Sequence, residues 1–270
     1  MAAGIWKPQT IKRYIESIPT STRVVRVETD EGEGFLKTLG NPEGPHVLAC
    51  ELVGTLLAEW LGLPTLDSAI IAVTDDDEIP FSGGGKALPG PAFITRAEKG
   101  VAWGGDATTL GKVSNPHDIG RMVVLDTWIR NCDRYRPEPN LRINLDNVFL
   151  SWGSGSNNGL TLKAIDHTHA FSCGRELTGR MGQIDDVQDQ TIFGCFPEFT
   201  AFLTREQIVD SAIRLAAMNT LEAATIVGKV PVEWQVEEVA RIAWIKLICD
   251  RASFVAERMD TWLWPEKEQL

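Results

Sequence analysis

The sequence predicts an α+β fold in two lobes: a small strand-rich lobe at residues 1–98 and a larger, mainly helical lobe at residues 99–270. Three observations predict it. Short β-branched and aromatic runs surround a single helix-spaced segment in the first part. A glycine-bearing connector follows at residues 96–114. Beyond it, apolar residues recur at helical spacing, interrupted by one further hairpin pattern. At 270 residues the chain is long enough for such a division, since domains run to roughly 100–200 residues.

The elements follow in order. Residues 24–28 and 34–39 flank Thr29-Asp30-Glu31-Gly32-Glu33, an acidic turn bearing a glycine, which is a hairpin signal. Asn41-Pro42-Glu43-Gly44-Pro45 is a turn cluster. Leu48, Leu52, Thr55, Leu56 and Glu59 then keep helical spacing until Gly62 and Pro64 stop it. Residues 69–73 and 93–95 are short strands, separated by an acidic and then Gly/Pro-rich loop at 74–91. Asn115-Pro116 reads as an N-cap and first helical residue. The helix it opens carries Met122, Val123, Leu125, Trp128 and Ile129, and ends near Asn131-Cys132-Asp133-Arg134. Residues 147–152 and 160–165 form a second hairpin around a turn at 153–159. Thr204-Arg205-Glu206-Gln207 is a capping box ahead of Ile208, Val209, Ala212 and Ile213. A long helix covers about residues 236–262.

Composition narrows the function. Lys and Arg number 26 against 37 Asp and Glu, a formal net charge of −11. Nucleic-acid binding draws on basic surface, and so does docking on anionic lipid, so neither partner is expected. No run of 18 apolar residues occurs and residues 1–12 are too polar for a signal peptide, which points to the cytoplasm. The cysteines are Cys50, Cys132, Cys173, Cys195 and Cys249, with no CxxC pair. That pattern fits free thiols in a reducing compartment better than a zinc ribbon or a disulfide framework. Cys132, beside Asp133, reads as a small buried hydrophobe rather than a nucleophile.

Three motifs are superficial. Gly83-Gly84-Gly85-Lys86 lacks the first P-loop glycine, which would fall on Pro80, and Lys86 precedes Ala87. Asp75-Asp76-Asp77-Glu78 reads as a solvated charge run. His167-Thr168-His169 on a strand would point both imidazoles one way and could share a metal with Asp166, which keeps a zinc hydrolase as a minor reading.

The informative constellation is dispersed. Lys37 lies in a strand between apolar neighbours, Glu51 on the next helix, Asp133 in a loop after a helix, Asn147 at the start of a hairpin and Asp166 at its end. These are the parts of a phosphoryl-transfer site. Lysine supplies positive charge to phosphates, and glutamate holds the lysine. The loop aspartate accepts a hydroxyl proton. Asparagine and the last aspartate offer the oxygen ligands that Mg²⁺ takes. Each residue alone has an ordinary explanation: a snorkelling lysine, a solvated glutamate, a local Asp133–Arg134 ion pair, turn residues. Their order and spacing carry the argument.

In Gly34-Phe35-Leu36-Lys37, Glu51-Leu52-Val53-Gly54, Leu61-Gly62-Leu63-Pro64, Leu125-Asp126-Thr127-Trp128-Ile129-Arg130-Asn131-Cys132-Asp133-Arg134, Asn147-Val148-Phe149-Leu150 and Ala164-Ile165-Asp166-His167, the chain resembles the HipA-like kinase family, in its compact members made of the kinase core alone. The resemblance spans roughly residues 20–175. It implies a protein-kinase-like fold that binds Mg-ATP and phosphorylates serine or threonine on a protein; the best-known members are toxins acting on translation. It implies phosphate binding by Lys37, positioned by Glu51, with Asp133 as catalytic base. It also implies metal binding by Asn147 and Asp166, and an adenine-side hinge at Thr95 to Glu98. The family's asparagine about five residues after the aspartate falls here on Glu138, so Asn140 is an alternative metal ligand to Asn147. The phosphate loop would fall on residues 17–22, which have hydroxyls and no glycine, with Ser21 a candidate for autophosphorylation. A protein substrate is the expected partner, with an antitoxin or regulatory protein as a second; no helix-turn-helix antitoxin is encoded in the chain. A small-molecule or lipid kinase and a pseudokinase scaffold are the alternatives.

Overall fold

The computed structural model describes residues 6–152 and 159–265. Five strands form the first sheet: β1 Ile11–Ser17, β2 Val25–Thr29, β3 Gly32–Lys37, β4 Ser68–Val73 and β5 Gly90–Arg96. Their order is β1-β2-β3-β5-β4 and every neighbouring pair is antiparallel. The expected first hairpin is present and tight: Thr29 pairs with Gly32 across Asp30-Glu31, and Gly32 has φ +105°, open to glycine. β1 has no counterpart in the sequence reading. It is an edge strand with mostly exposed side chains, so no apolar alternation marks it.

The period of two sorts the sheet's faces. Leu36, Ile94, Ala92, Val25, Val27, Ile71 and Val73 build a core on one face, closed by Trp6 and by Ile79, Phe81 and Ala87 of the 74–91 loop. That loop therefore covers the sheet's far side. Phe35 pairs with Thr95 and Lys37 with Phe93, so these four residues share the other face.

Helix α1, His46–Leu61, crosses behind that second face and ends where Gly62 takes φ +85°. It lies within the strand-rich first part of the sequence, yet its residues from Val47 to Leu61 join the larger core, with the helices that follow. A helix buried on nearly all sides reads as apolar all round, which fits its composition.

The connector holds two short elements not expected from sequence, β6 Gly100–Ala102 and α2 Ala107–Leu110. Helix α3, His117–Ile129, follows. Asn115 does not cap it with its side chain. Its Oδ1 accepts from Leu162 N at 2.8 Å and its Nδ2 donates to Leu162 O at 2.9 Å, tying α3 to a strand far along the chain. A two-stranded ribbon comes next, β7 Tyr135–Arg136 and β8 Arg142–Ile143, where no strand is expected from the sequence. The second hairpin is β9 Val148–Trp152 and β10 Leu160–Ala164, and β6 completes its sheet in the order β10-β9-β6. Of its expected turn, residues 153–158 lie outside the described residues.

The rest is helical: α4 Ile184–Val187, α5 Arg205–Ala216, α6 Thr220–Val227 and α7 Glu238–Leu263. Thr204 caps α5 by accepting from Gln207 N at 3.4 Å, as the capping box predicts. Its buried stripe is Ile208, Ser211 and Leu215, while Val209 and Ile213 face outward. No helix among the described residues is long and apolar enough to cross a membrane.

Candidate active site

Lys37 ends β3 on the face that looks toward α1, and it is 8% exposed. Its Nζ lies 2.9 Å from Glu51 Oε2 and 3.1 Å from Asp166 Oδ1. Burial disfavours the ammonium, but the two carboxylates outweigh it and hold the lysine above its ordinary value. Burial also pushes Glu51 up, against the pull of Lys37. Glu51 Oε2 additionally accepts from His167 N at 2.9 Å, so one carboxylate oxygen links α1, β3 and the residue after Asp166.

Asp166 follows β10 with φ +58°, a left-handed conformation that Asp tolerates better than most residues. Its Oδ1 accepts from Thr168 Oγ1 at 2.6 Å and Thr168 N at 3.4 Å as well as from Lys37. Burial raises it, but the lysine charge and the threonine hydrogen bonds bring it well below the usual carboxylate range. Among the described residues Oδ2 has no hydrogen-bond partner, so one oxygen of a firmly ionised carboxylate is free for a cation.

The Asp133 loop is built from behind by buried polar groups. Arg130 ends α3 in the left-handed region, φ +54°. Asn131 donates from Nδ2 to Asp126 at 3.0 Å and accepts from Asp133 N at 3.3 Å. Arg134 is fully buried and pairs with the equally buried Asp126, Nε to Oδ2 2.7 Å. The local Asp133–Arg134 ion pair, the ordinary alternative to a catalytic Asp133, is therefore not formed; the arginine turns inward. Its Nη1 donates to the carbonyls of Asn147 and of Ile165, the latter at 3.0 Å. One guanidinium thus fixes the loop against both ends of the β9–β10 hairpin.

Asp133 itself faces four polar side chains. Asn147 Nδ2 donates to Oδ2 at 3.0 Å and Asn144 Nδ2 at 3.2 Å. Arg142 Nε approaches Oδ1 at 2.7 Å and His169 Nδ1 at 3.5 Å. Burial raises Asp133, but His169 and Arg142 together keep it below its ordinary value. Glu43 Oε2 sits 2.8 Å from His169 Nε2, so the histidine stands between two carboxylates and is raised to about 9, chiefly by Asp133.

A cavity of about 330 Å³ opens against this cluster, with Phe35, Phe93 and Phe149 on its walls and Lys37, Glu51 and Asp166 at one end. Thr95 and Glu98 line it too. Glu98 is held by Ser151 Oγ and Lys163 Nζ, each at 2.7 Å. The structure thus gathers Lys37, Glu51, Asp166, Thr95 and Glu98 around one cavity, with Asp133 and Asn147 in mutual contact. It does not bring in Asn140, which is exposed between β7 and β8. Asn144, Arg142 and Glu43 were not singled out from the sequence as site residues, and His169 only as a candidate zinc ligand with His167. Nothing local marks the His169–Glu43 contact, which spans 126 positions.

His167 and His169 do not share a metal site. The chain turns after Asp166, so strand alternation does not hold there. His167 is fully buried against Gly54 and Thr55 of α1, Nδ1 to Thr55 Oγ1 3.3 Å, and burial with the Arg134 charge lowers it well below its ordinary value. His169 points instead to Asp133 and Glu43. Residues 17–22 close β1 and turn into β2, with Ile18 N donating to Val24 O at 2.8 Å.

The model of the HipA-like kinase family matches residues 22–265. The chain belongs to the HipA-like kinase family. Its fold agrees with that assignment. The Helicobacter pylori proinflammatory kinase CtkA superposes with a TM-score of 0.59 at 12% identity, over 95% of this chain and 98% of that one. The kinase domain of Mycobacterium tuberculosis PknI aligns over 94% and 95% at 12% identity, but with a TM-score of 0.27, too loosely to carry an argument. No curated protein matches the chain. A HipA-like kinase is a phosphotransferase, and the two-lobed protein-kinase fold expected from sequence is the fold observed.

Proposed function

We propose that this HipA-like kinase is an Mg-ATP-dependent protein kinase acting on a serine or threonine hydroxyl. The observation that carries the reading is Lys37 Nζ between Glu51 and Asp166 at the end of a 330 Å³ cavity. In this reading Lys37 meets phosphate oxygens, and Glu51 keeps it in place. Asp133, ionised and held by Asn147 and Asn144, accepts the proton of the acceptor hydroxyl. Thr95 and Glu98 lie at the adenine side.

The donor set fits magnesium. Among the described residues Asp166 Oδ2 has no hydrogen-bond partner, and Asn147 uses its Nδ2 on Asp133, which leaves its side-chain Oδ1 for a hard cation. Magnesium, when bound, neutralises charge on the transferred phosphoryl group. Asn147 is the better candidate ligand because it is buried against Asp133, whereas Asn140 is exposed.

The test is a calorimetric titration of ATP with and without Mg²⁺, on the wild type and on Asp166→Asn. Magnesium-dependent binding that weakens in the variant supports the reading; no binding in either protein sinks it. A pseudokinase is the competing reading, favoured by the glycine-free turn at residues 17–22, and turnover of labelled ATP onto protein separates the two. A small-molecule or lipid acceptor would appear as label outside the protein fraction. A cytoplasmic location, an antitoxin or regulatory partner and an action on translation belong to the same proposal. Growth arrest on expression that Asp133→Asn relieves would support the last.

A further inference from the structure

The chain runs 14 positions from Asp133 to Asn147, and the β7–β8 ribbon lies between them. It carries two arginines. Arg136 and Arg142 are directly opposed across the ribbon, so their side chains share one face. Like charges opposed in this way repel, and an anion is needed to relieve them. Arg142 has Asp133, with Nε 2.7 Å from Oδ1. Among the described residues Arg136 enters no ion pair. The contact at Oδ1 is one of charge and not an aligned hydrogen bond, since Oδ1 has no hydrogen-bond partner among the described residues. Oδ2, by contrast, accepts from Asn147 and Asn144. Oδ1 is therefore the oxygen left for an incoming hydroxyl. The Arg142 side chain beside it is 54% exposed, and among the described residues none of its five N–H donors is committed to a hydrogen bond. The other cations of the site are occupied. Lys37 is held between Glu51 and Asp166, and His169 Nε2 faces Glu43 at 2.8 Å.

We propose that Arg142 is a catalytic residue whose guanidinium binds the phosphoryl group in transit and bridges it to Asp133, with Arg136 adding positive charge behind it. The proposal rests on the kinase reading. In the step, the acceptor oxygen bonds to the γ-phosphorus of ATP. The bond from that phosphorus to the β–γ bridging oxygen breaks, and its electron pair leaves on ADP. The hydroxyl proton passes to Asp133 Oδ1. Arg142 gives up no proton. Its task is electrostatic, because an ionised carboxylate repels the anionic phosphoryl group that must come alongside it. A guanidinium between the two removes that repulsion. Its planar fork also spans two oxygens at once, with Nε on the carboxylate side and the Nη groups on the phosphoryl side. A ribbon that opposes two arginines and gives them one carboxylate is built to receive a second anion.

Phosphoryl transfer from labelled Mg-ATP is measured as phosphate released to water and as label on the chain, for the wild type, Arg142→Ala, Arg142→Lys and Arg136→Ala. Arg142→Ala is expected to lower kcat about 100- to 1000-fold with KM for ATP nearly unchanged. Its melting temperature should match the wild type's, because the side chain is half exposed. Arg142→Lys keeps the charge and should recover part of the loss, as should free guanidinium added to Arg142→Ala. Arg136→Ala should lose less. An unchanged kcat in Arg142→Ala overturns the proposal, and so does a raised one, which makes Arg142 a screen over the base. A loss that neither lysine nor guanidinium recovers, or that follows a lowered melting temperature, assigns Arg142 a structural role and overturns the proposal too. A wild type that transfers no phosphoryl group overturns the kinase reading and this proposal with it, whereas failure at Arg142 alone leaves that reading standing.

Discussion

Lys37 is the residue on which the candidate site closes, because it is the cation between two carboxylates in a nearly dry setting. Lys37→Met leaves Glu51 and Asp166 facing each other unpaired. We expect a stability loss of about 3–5 kcal/mol in urea unfolding, since removing one partner of a buried charge cluster strands the others. Adding Glu51→Gln should recover part of that stability without restoring nucleotide binding; a double variant no more stable than the single would refute the account. His169 gives a pH prediction. Its folded value, about 9, lies above its ordinary 6.5 because Asp133 and Glu43 favour the imidazolium. The stabilisation is therefore complete below pH 6.5 and drains away as pH rises through about 9. Melting temperatures from pH 6 to 10 should fall more steeply for the wild type than for His169→Gln, and parallel curves would show that the imidazolium contributes nothing. At this scale the identities of Lys37, Glu51, Asp133, Asn147 and Asp166 were legible from order and spacing. Arg134 was visible as a residue but not its partner, because Asp126 lies one helical segment back and only the turn at Arg130 brings the two together.

Among the elements, α1 is the one whose position matters most. It carries Glu51 to Lys37 and packs against the turn after β10 through Gly54, where an added Cβ would lie 2.4 Å from the Cβ of His167. Gly54→Ala is therefore expected to cost about 1–3 kcal/mol despite alanine's better helix propensity, because overpacking must shift α1 or the Asp166 turn. A thermal melt at or above the wild-type temperature would contradict it. The strands and helices that alternate cleanly, β2, β3, β5, α1, α3 and α7, were readable from sequence. β1, β6 and the β7–β8 ribbon were not, since a short or exposed strand buries no face and leaves no period. In α5 the apolar Val209 and Ile213 are exposed, while the buried face includes Ser211, whose hydroxyl bonds Gln207 O at 2.8 Å and so tolerates burial.

Across the whole molecule, α7 fastens the helical part together through Arg251. This fully buried arginine donates to the carbonyls of Thr127, Trp128, Asp186, Val187 and Asp189, joining α7 to the end of α3 and to α4 with the residues just after it. Burial pulls it down to about 10 with only partial compensation from Asp189. Trp128 Nε1 donates to Ile248 O at 2.9 Å alongside. Arg251→Met should cost about 3–5 kcal/mol, because the abandoned carbonyls keep their desolvation penalty. Since α3 leads directly into the Asp133 loop, nucleotide turnover should fall with it; an unfolding midpoint equal to the wild type's would refute this role.

The sequence by itself determined the class of fold, the order of the lobes and the cast of charged residues, because those depend on local period and on which side chains occur in what order. The tertiary structure decided what each charge faces. It put α1 into the larger core, turned Arg134 onto Asp126 and separated His167 from His169. Those contacts join residues tens of positions apart, and a pairing over that distance is selected by burial and backbone turns such as Arg130 and Asp166, which leave no periodic trace in the chain.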